Sequence, residues 1–389
     1  MTVDHTLIVP VHNGSTFIHL FWHSLLPNTL DQSEIIVVDD GSREDIQRLV
    51  PRLPAALKPR VLRNDAAQGY AKAVNLALAS ARGEYIYLLN TDLILGSGAL
   101  ALLYKYLRSD SRIGIVGAKL LYPQTGKIQH FGLAFSPTRK FHIFTHMDPG
   151  HPLVSVPCEF QAVTFALCGI KRALVAEIGY LDGKYCNGCE DIDFCLLAGE
   201  HGYRNVVPPE VVSYHWESLS GDGARHVATL ENEARFWSRW SGKIKIDIGS
   251  YVGRSLSFFL DAHPQLRALD FTVVNFSPGN DFEYIMAAME PLFAHYDEFA
   301  IWDYSRASRN NGQIWLAMAL PFDAVRAPRP FIFVVPEYPL LIGNHYWLSS
   351  RQQFCSHDVI VDHYGNVMRA TEPIFLAHAA RQKGPMDAS

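Results

Sequence analysis

Ile35-Ile-Val-Val-Asp-Asp-Gly-Ser42 runs four β-branched residues directly into two acids, a glycine and a serine. The apolar run is short and bounded by turn residues, so it reads as a buried strand over 34–39. Its carboxyl end presents Asp39 and Asp40 just before a turn at Gly41. The turn also has a purely structural reading, with Ser42 as helix N-cap and Asp45 as a short capping acid. Two further segments repeat the pattern. Leu7-Ile-Val-Pro-Val-His-Asn13 ends in His12 and Asn13, and Leu88-Leu-Asn-Thr-Asp92 ends in Asn90, Thr91 and Asp92. Polar and acidic residues at the carboxyl ends of successive apolar strands are how an α/β sheet faces a ligand.

Helical patterns separate these strands. Residues 14–30 place Phe17, Leu20, Phe21 and Leu25 on one side. The alanine-rich stretch 69–81 places Ala71, Val74, Leu78 and Ala81 on one face and stops at Arg82-Gly83. The β-α-β-α alternation predicts a largely parallel sheet. Further helices are expected over 43–50, 99–107, 191–201 and 227–240, with strands over 113–118, 206–207 and 211–214. The stretch 122–157, rich in His, Phe, Pro and Gly, reads as a loop excursion or part of a second binding site. Beyond about residue 245, strands are expected over 269–275, 298–303, 314–319 and 330–335 and a helix near 281–294. The expected organisation is therefore a first domain over 1–245 and a smaller C-terminal α/β unit over 246–389.

The chain has 389 residues, 48% hydrophobic and 19% charged, which is enough for a sizeable core. A net charge of −5 gives no basic excess, so a nucleic-acid polymer is not an expected partner. There is no run of about 18 apolar residues, and the start, Met1-Thr-Val-Asp-His5, lacks a basic, apolar leader. A cytoplasmic location is expected, with peripheral association at the inner membrane face left open. Cys186-Asn-Gly-Cys189 has zinc-like spacing but no second paired motif, and reads as a turn flanked by small thiols.

The strand ends, the segment Arg63-Asn64 with Gln68-Gly-Tyr-Ala-Lys-Ala-Val-Asn75, the acids of Glu190-Asp-Ile-Asp193, and His215 occur in one order. That order resembles the inverting family 2 glycosyltransferases and, with Asn90 in place of the first acid of their DxD motif, the bacterial rhamnosyltransferase-like branch. The resemblance covers roughly residues 4–245. It implies a GT-A fold: a Rossmann-like mixed sheet with helices on both faces. It implies transfer of a sugar from a UDP- or dTDP-sugar to a hydroxyl of a saccharide or lipid-linked saccharide, in surface polysaccharide or glycolipid synthesis.

Site roles follow from the same resemblance. Pro10, Val11, Asn13, Asp39, Asp40, Arg63, Gly69, Lys72, Asn90 and Thr91 would bind the nucleotide sugar. Gly69 would allow close backbone approach, and Lys72 would act as a point charge on phosphate. Asp92 and His215 would hold Mg²⁺ or Mn²⁺, hard cations suited to oxygen ligands and diphosphate. Asp191 would be the general base, and Glu190 and Trp216 would meet the acceptor. Two rivals are a bifunctional enzyme and a nucleotide-sugar-binding protein without turnover. The first draws on Lys245-Ile-Asp-Ile-Gly-Ser-Tyr-Val-Gly253, which has a faint likeness to a methyltransferase glycine loop but is expected to be a strand and turn.

Overall fold

The computed structural model describes residues 3–13, 15–50, 58–216, 224–268, 272–275, 281–292, 300–301, 308–310, 313–315, 331–335, 359–362 and 364–369. Two compact units divide the chain. Met1–Leu133 and Phe144–Ile244 make the first; Ala134–Ile143 and Lys245–Ser389 make the second.

In the first unit the order is β1 (His5–Val11), α1 (Ser15–Leu25), β2 (Ser33–Asp40), α2 (Ile46–Leu49), β3 (Arg60–Asn64), α3 (Tyr70–Leu78), β4 (Tyr85–Leu89), β5 (Leu93–Leu95), α4 (Ala99–Ser109), β6 (Ile113–Gly117), β7 (Lys119–Leu121) and β8 (Ile128–His130). β9 (Leu133–Phe135) and β10 (Lys140–His142) pair as a two-stranded ribbon. The first unit resumes with β11 (Cys158–Phe160), β12 (Leu167–Lys171), α5 (Arg172–Ile178), α6 (Glu190–Glu200), β13 (Arg204–Val207), β14 (Val212–His215) and α7 (Ala224–Trp240).

Eight strands form the main sheet in the order β11-β13-β6-β12-β4-β1-β2-β3. The half from β4 to β3 is parallel, as the alternation requires. β12 runs antiparallel between β4 and β6, so the sheet is mixed rather than largely parallel. Both faces of β1 and β2 are covered, which explains their unbroken apolar runs. Leu7, Val9, Val11, Ile35 and Val37 join Ile18, Phe21, Trp22 and Leu25 of α1 and Leu100, Leu103 and Leu107 of α4 in one buried cluster. On α3, Ala71, Ala73, Val74, Ala77 and Leu78 are buried, and this helix packs on β1 and β2. Small residues let it lie close to the sheet.

A second sheet of four strands, β5-β14-β7-β8, stands beside the first. One of its strands, β8, comes from the segment expected to be a loop excursion. The reason is burial: Ile128, Phe131, Leu133, Phe144 and Val154 are 0–2% exposed. Its polar letters disguised a core segment. The helix expected over 43–50 is only one turn, Ile46–Leu49.

In the second unit, α8 (Ile248–Ala262) and α9 (Asp281–Met289) accompany β15 (Thr272–Asn275), β16 (Ala300–Ile301), β17 (Ser308–Asn310), β18 (Gln313–Trp315), β19 (Phe331–Val335), β20 (Val359–Asp362) and β21 (Val367–Arg369). A five-stranded sheet of order β16-β15-β19-β20-β21, parallel except for β21, makes this unit α/β as well. Lys245–Gly253 is a helix start, not a strand and glycine turn. Gly249 and Gly253 fall one helical turn apart and face Tyr284 and Ala288 of α9. Their missing side chains serve helix–helix approach, which removes the basis for a methyltransferase glycine loop. Among the described residues no helix is long and apolar enough to cross a membrane.

Candidate active site

The parallel register sets one row of candidate site residues at the strand ends. Val11 lies opposite Asp39, Asp39 opposite Arg63, and Asp40 opposite Asn64. Arg63 pairs with the Asp39 carboxylate and donates to the Ser42 carbonyl at 2.9 Å. The other Asp39 oxygen accepts the Ser42 amide at 2.9 Å. Ser42 is not a helix cap. Its hydroxyl accepts the Asn13 amide at 3.0 Å, and Asn13 Oδ1 accepts the Arg43 amide at 2.9 Å, so the pair staples the ends of β1 and β2. His12 Nδ1–H donates to the Asp40 carbonyl at 2.8 Å.

Asp40 holds the segment that leads into α3. It accepts from Asn64 Nδ2 at 2.7 Å, from the Gln68 amide at 2.9 and 3.1 Å, and from the Gly69 amide at 2.8 Å. This fold-back needs Gly41 at φ +66°, where a side chain would strike the Ala66 backbone. Gly69, at φ +90°, places the start of α3 against the Cys186–Asn187 turn.

A cavity of about 420 Å³ opens between these strand ends and α6. Pro10, Val11, Asp40, Gly69 and Asn90 line one side; Thr164, Phe165, Glu190 and Asp191 line the other. The reversal at β12 makes this possible. Leu167 pairs with Leu89, and the Asn90 amide donates to the Ala166 carbonyl at 2.9 Å, so residues 164–166 close the cavity beside the end of β4. Lys72 is elsewhere: with Asn64, Gln68 and Tyr180 it lines a neighbouring open depression of about 600 Å³.

Asp191 is held by the Phe165 amide at 3.3 Å, the Ile192 amide at 2.8 Å and the Thr164 hydroxyl. These donors favour the anion, but burial outweighs them and raises its pKa. Burial and the adjacent Asp191 charge push Glu190 up to about 7. Its carboxylate accepts the Gly188 amide at 2.5 Å. Asp193, the third acid of the motif, faces away. It accepts from Tyr185, Arg239 and Trp240 and joins α6 to α7. Tyr185 is 1% exposed and belongs to the core.

The second sheet brings Asp92 and His215 together. His215 is opposite Leu93, and the Trp216 amide donates to the Asp92 carbonyl at 3.1 Å. His215 Nε2 lies 3.2 Å from Asp92 Oδ1. Both atoms are buried without a hydrogen-bond partner. Trp216 stacks on Phe17 with centroids 5.0 Å apart, which occupies one ring face. Among the described residues no group of three or more His, Cys, Asp or Glu is gathered to hold a metal. The Cys186–Cys189 segment is a tight turn, with Asn187 at φ 54° and Cys189 at φ 72°.

Several site neighbours carried no sequence signal. Tyr70 donates its hydroxyl to the Phe165 carbonyl at 2.9 Å and its amide to Asn187 Oδ1 at 2.9 Å, linking α3 to both sides of Asp191. Asn232 of α7 clamps Cys186 through its amide and carbonyl at 3.1 and 2.9 Å. His130, read as a loop residue, is 1% exposed, and its Nε2 accepts the Thr164 amide.

Comparison with known proteins agrees with this geometry. Residues 6–165 match the model of Glycosyl transferase family 2. The uncharacterized protein y4gI of Sinorhizobium fredii is 31% identical over 241 residues, 59% of this chain and 26% of that protein. Glycosyltransferase GlyG of Streptococcus pneumoniae is 26% identical over 121 residues, 31% of this chain and 40% of that protein. The chain thus spans less than half the length of either relative. GalNAc-T7, solved with UDP, GalNAc and Mn²⁺, superposes with a TM-score of 0.51 at 18% identity, covering 68% of this chain and 55% of that one. The fold is GT-A: a mixed α/β architecture built on one large mixed sheet.

Proposed function

We propose that this protein is an inverting glycosyltransferase that moves a sugar from a nucleoside-diphosphate sugar to an acceptor hydroxyl. The observation that carries the reading is that Asp191 and the ends of β1, β2 and β4 face one cavity. The nucleotide lies along Pro10, Val11, Asp39 and Gly69, with Arg63 setting the Asp39 carboxylate and Asn90 and Thr91 near the sugar. Lys72, in the adjoining depression, serves a part of the donor that reaches beyond Gln68. Asp191 accepts the proton of the acceptor hydroxyl. The oxygen bonds to the anomeric carbon as the bond from that carbon to the diphosphate breaks on the opposite side. A single in-line displacement of this kind inverts the centre. A positioned carboxylate base contributes about 10²–10⁴-fold. Glu190 and Trp216 border the acceptor.

Asp92 and His215 fit a divalent cation. With Nδ1 carrying the proton, His215 Nε2 and Asp92 Oδ1 are two lone-pair-bearing atoms buried 3.2 Å apart, a contact relieved by a shared cation or by a second proton on Nε2. Adjacent ligands at about 2.1 Å in an octahedral shell lie about 3 Å apart, near the observed separation. When bound, Mg²⁺ or Mn²⁺ neutralises charge on the departing diphosphate. Two protein ligands are too few alone, so further ligands would have to come from the diphosphate. The acceptor class is a saccharide or lipid-linked saccharide of a surface polymer, met on the cytoplasmic side. The test is product release from a nucleotide-sugar panel by wild type and Asp191→Asn. Release by the wild type alone is expected; equal turnover by the variant would remove Asp191 from the reaction.

A further inference from the structure

We infer that Gln129 is a positioning residue that fixes the tautomer of His215 and so aims its Nε2 lone pair at the cation position beside Asp92, a role that rests on the cation reading proposed above. Gln129 occupies a β-bulge. Leu120 pairs with His130 and Leu121 with Ile128, which leaves Gln129 as the extra residue of β8. A bulge re-aims the side chain it carries. β7 ends at Leu121, opposite Tyr214, one residue short of His215. Beyond that end the Gln129 side chain crosses to β14. Thr145 Oγ1 donates to the bulged Gln129 carbonyl at 3.1 Å and steadies the irregular backbone.

The amide meets His215 at two points. Gln129 Nε2 donates to the His215 carbonyl at 3.1 Å, and Gln129 Oε1 lies 2.7 Å from His215 Nδ1. Turning the amide over would set oxygen against carbonyl oxygen, so its orientation is fixed by the first bond. Nδ1 must then be the donor, and neutral His215 carries its lone pair on Nε2. Gln129 is 6% exposed, so water does not readily replace this contact. Partners of this kind, behind a metal-binding imidazole, typically change metal affinity 10–100-fold when removed.

The test uses the full chain with ¹⁵N-labelled histidine, free of metal and above the pH of imidazole protonation. Long-range ¹H–¹⁵N correlations read the tautomer of His215, identified by its loss in His215→Ala. Wild type is expected as Nδ1–H, Gln129→Leu as a mixture rich in Nε2–H. Gln129→Glu loses the bond to the His215 carbonyl but its carboxylate still accepts from Nδ1, so it is expected to keep Nδ1–H and separates the tautomer role from the second contact. Free Mn²⁺ is then counted by electron paramagnetic resonance with UDP present. Gln129→Leu should weaken Mn²⁺ binding about 10–100-fold, and Gln129→Glu should stay within a few-fold of wild type. An Nε2–H wild type, or unchanged tautomer and affinity in Gln129→Leu, would overturn the role of Gln129 alone. A wild type with the Nδ1–H tautomer but no Mn²⁺ binding would overturn the cation reading and this role with it.

Discussion

The indole N–H of Trp240 donates to Asp193 at 2.7 Å, which ties the last turn of α7 to the helix that carries Asp191. Arg239 and Tyr185 share the same carboxylate, which is nearly sealed from solvent. Two acids two residues apart therefore do different work. Asp191 opens onto the cavity and Asp193 fastens the helix behind it. Asp193→Ala leaves the Trp240 and Tyr185 donors buried and unpaired, at about 1–3 kcal/mol each. Urea unfolding should show a loss of about 2–4 kcal/mol, part of Arg239 being solvated. An unchanged midpoint would show that the cluster contributes nothing.

Asp40 makes a second structural prediction. Three donors converge on its two oxygens. Asp40→Asn turns an NH₂ group toward at least one of them, so it should harm nucleotide binding and stability nearly as much as Asp40→Ala. Calorimetry on both variants decides this. An asparagine variant that binds like wild type would mean that the 64–69 segment does not depend on the carboxylate.

The acids of α6 give a pH dependence. Tyr70, Cys168 and Cys195 face the pair, and each is held neutral by burial. Glu190 keeps its proton in the folded protein up to about 7, whereas the unfolded chain loses it near 4.5. The unfolded state thus binds fewer protons in that window, so this group's contribution to stability is present below about 4.5 and falls as pH rises toward about 7. Glu190→Gln should flatten that decline, gaining on wild type more near neutral pH than in mild acid. Parallel unfolding curves across the window would contradict the raised pKa.

The segment 134–143 depends on residues far along the chain. Asp247 Oδ1 accepts the Phe135 amide at 2.8 Å, and the Asp247 amide donates to the Phe135 carbonyl at 3.1 Å. Phe135 is fully buried. A chain ended at residue 244 loses both partners. A lower thermal midpoint than the full chain is expected, and an identical one would show that the segment stands without Asp247.

Much of the parallel half was legible because each strand is covered on both faces and stops at acids or amides. Asp39, Asp40 and Asn90 could be singled out on that ground, and Asp191 only through the family resemblance. The reversal at β12 was not, since Leu167–Lys171 looks like any buried strand and direction leaves no local trace. The 122–157 segment was misjudged because its histidines and prolines resemble a surface loop while its phenylalanines fill a core. Gln129 and Asn232 act through partners 86 and 46 residues away, contacts that only the folded chain creates. Ser42 looked like a cap because capping residues and turn staples share the same chemistry.

The central claim is that the strand ends of the first unit, with Asp92 and His215, bind a nucleoside diphosphate through a divalent cation. Titration calorimetry with UDP, dTDP and GDP, each in Mn²⁺ and in EDTA, tests it on wild type and Asp92→Ala. Binding of at least one nucleotide in Mn²⁺ is expected, weakened roughly tenfold or more by EDTA and by the variant. Absence of binding for all three, or equal affinity in EDTA and in Asp92→Ala, would contradict it.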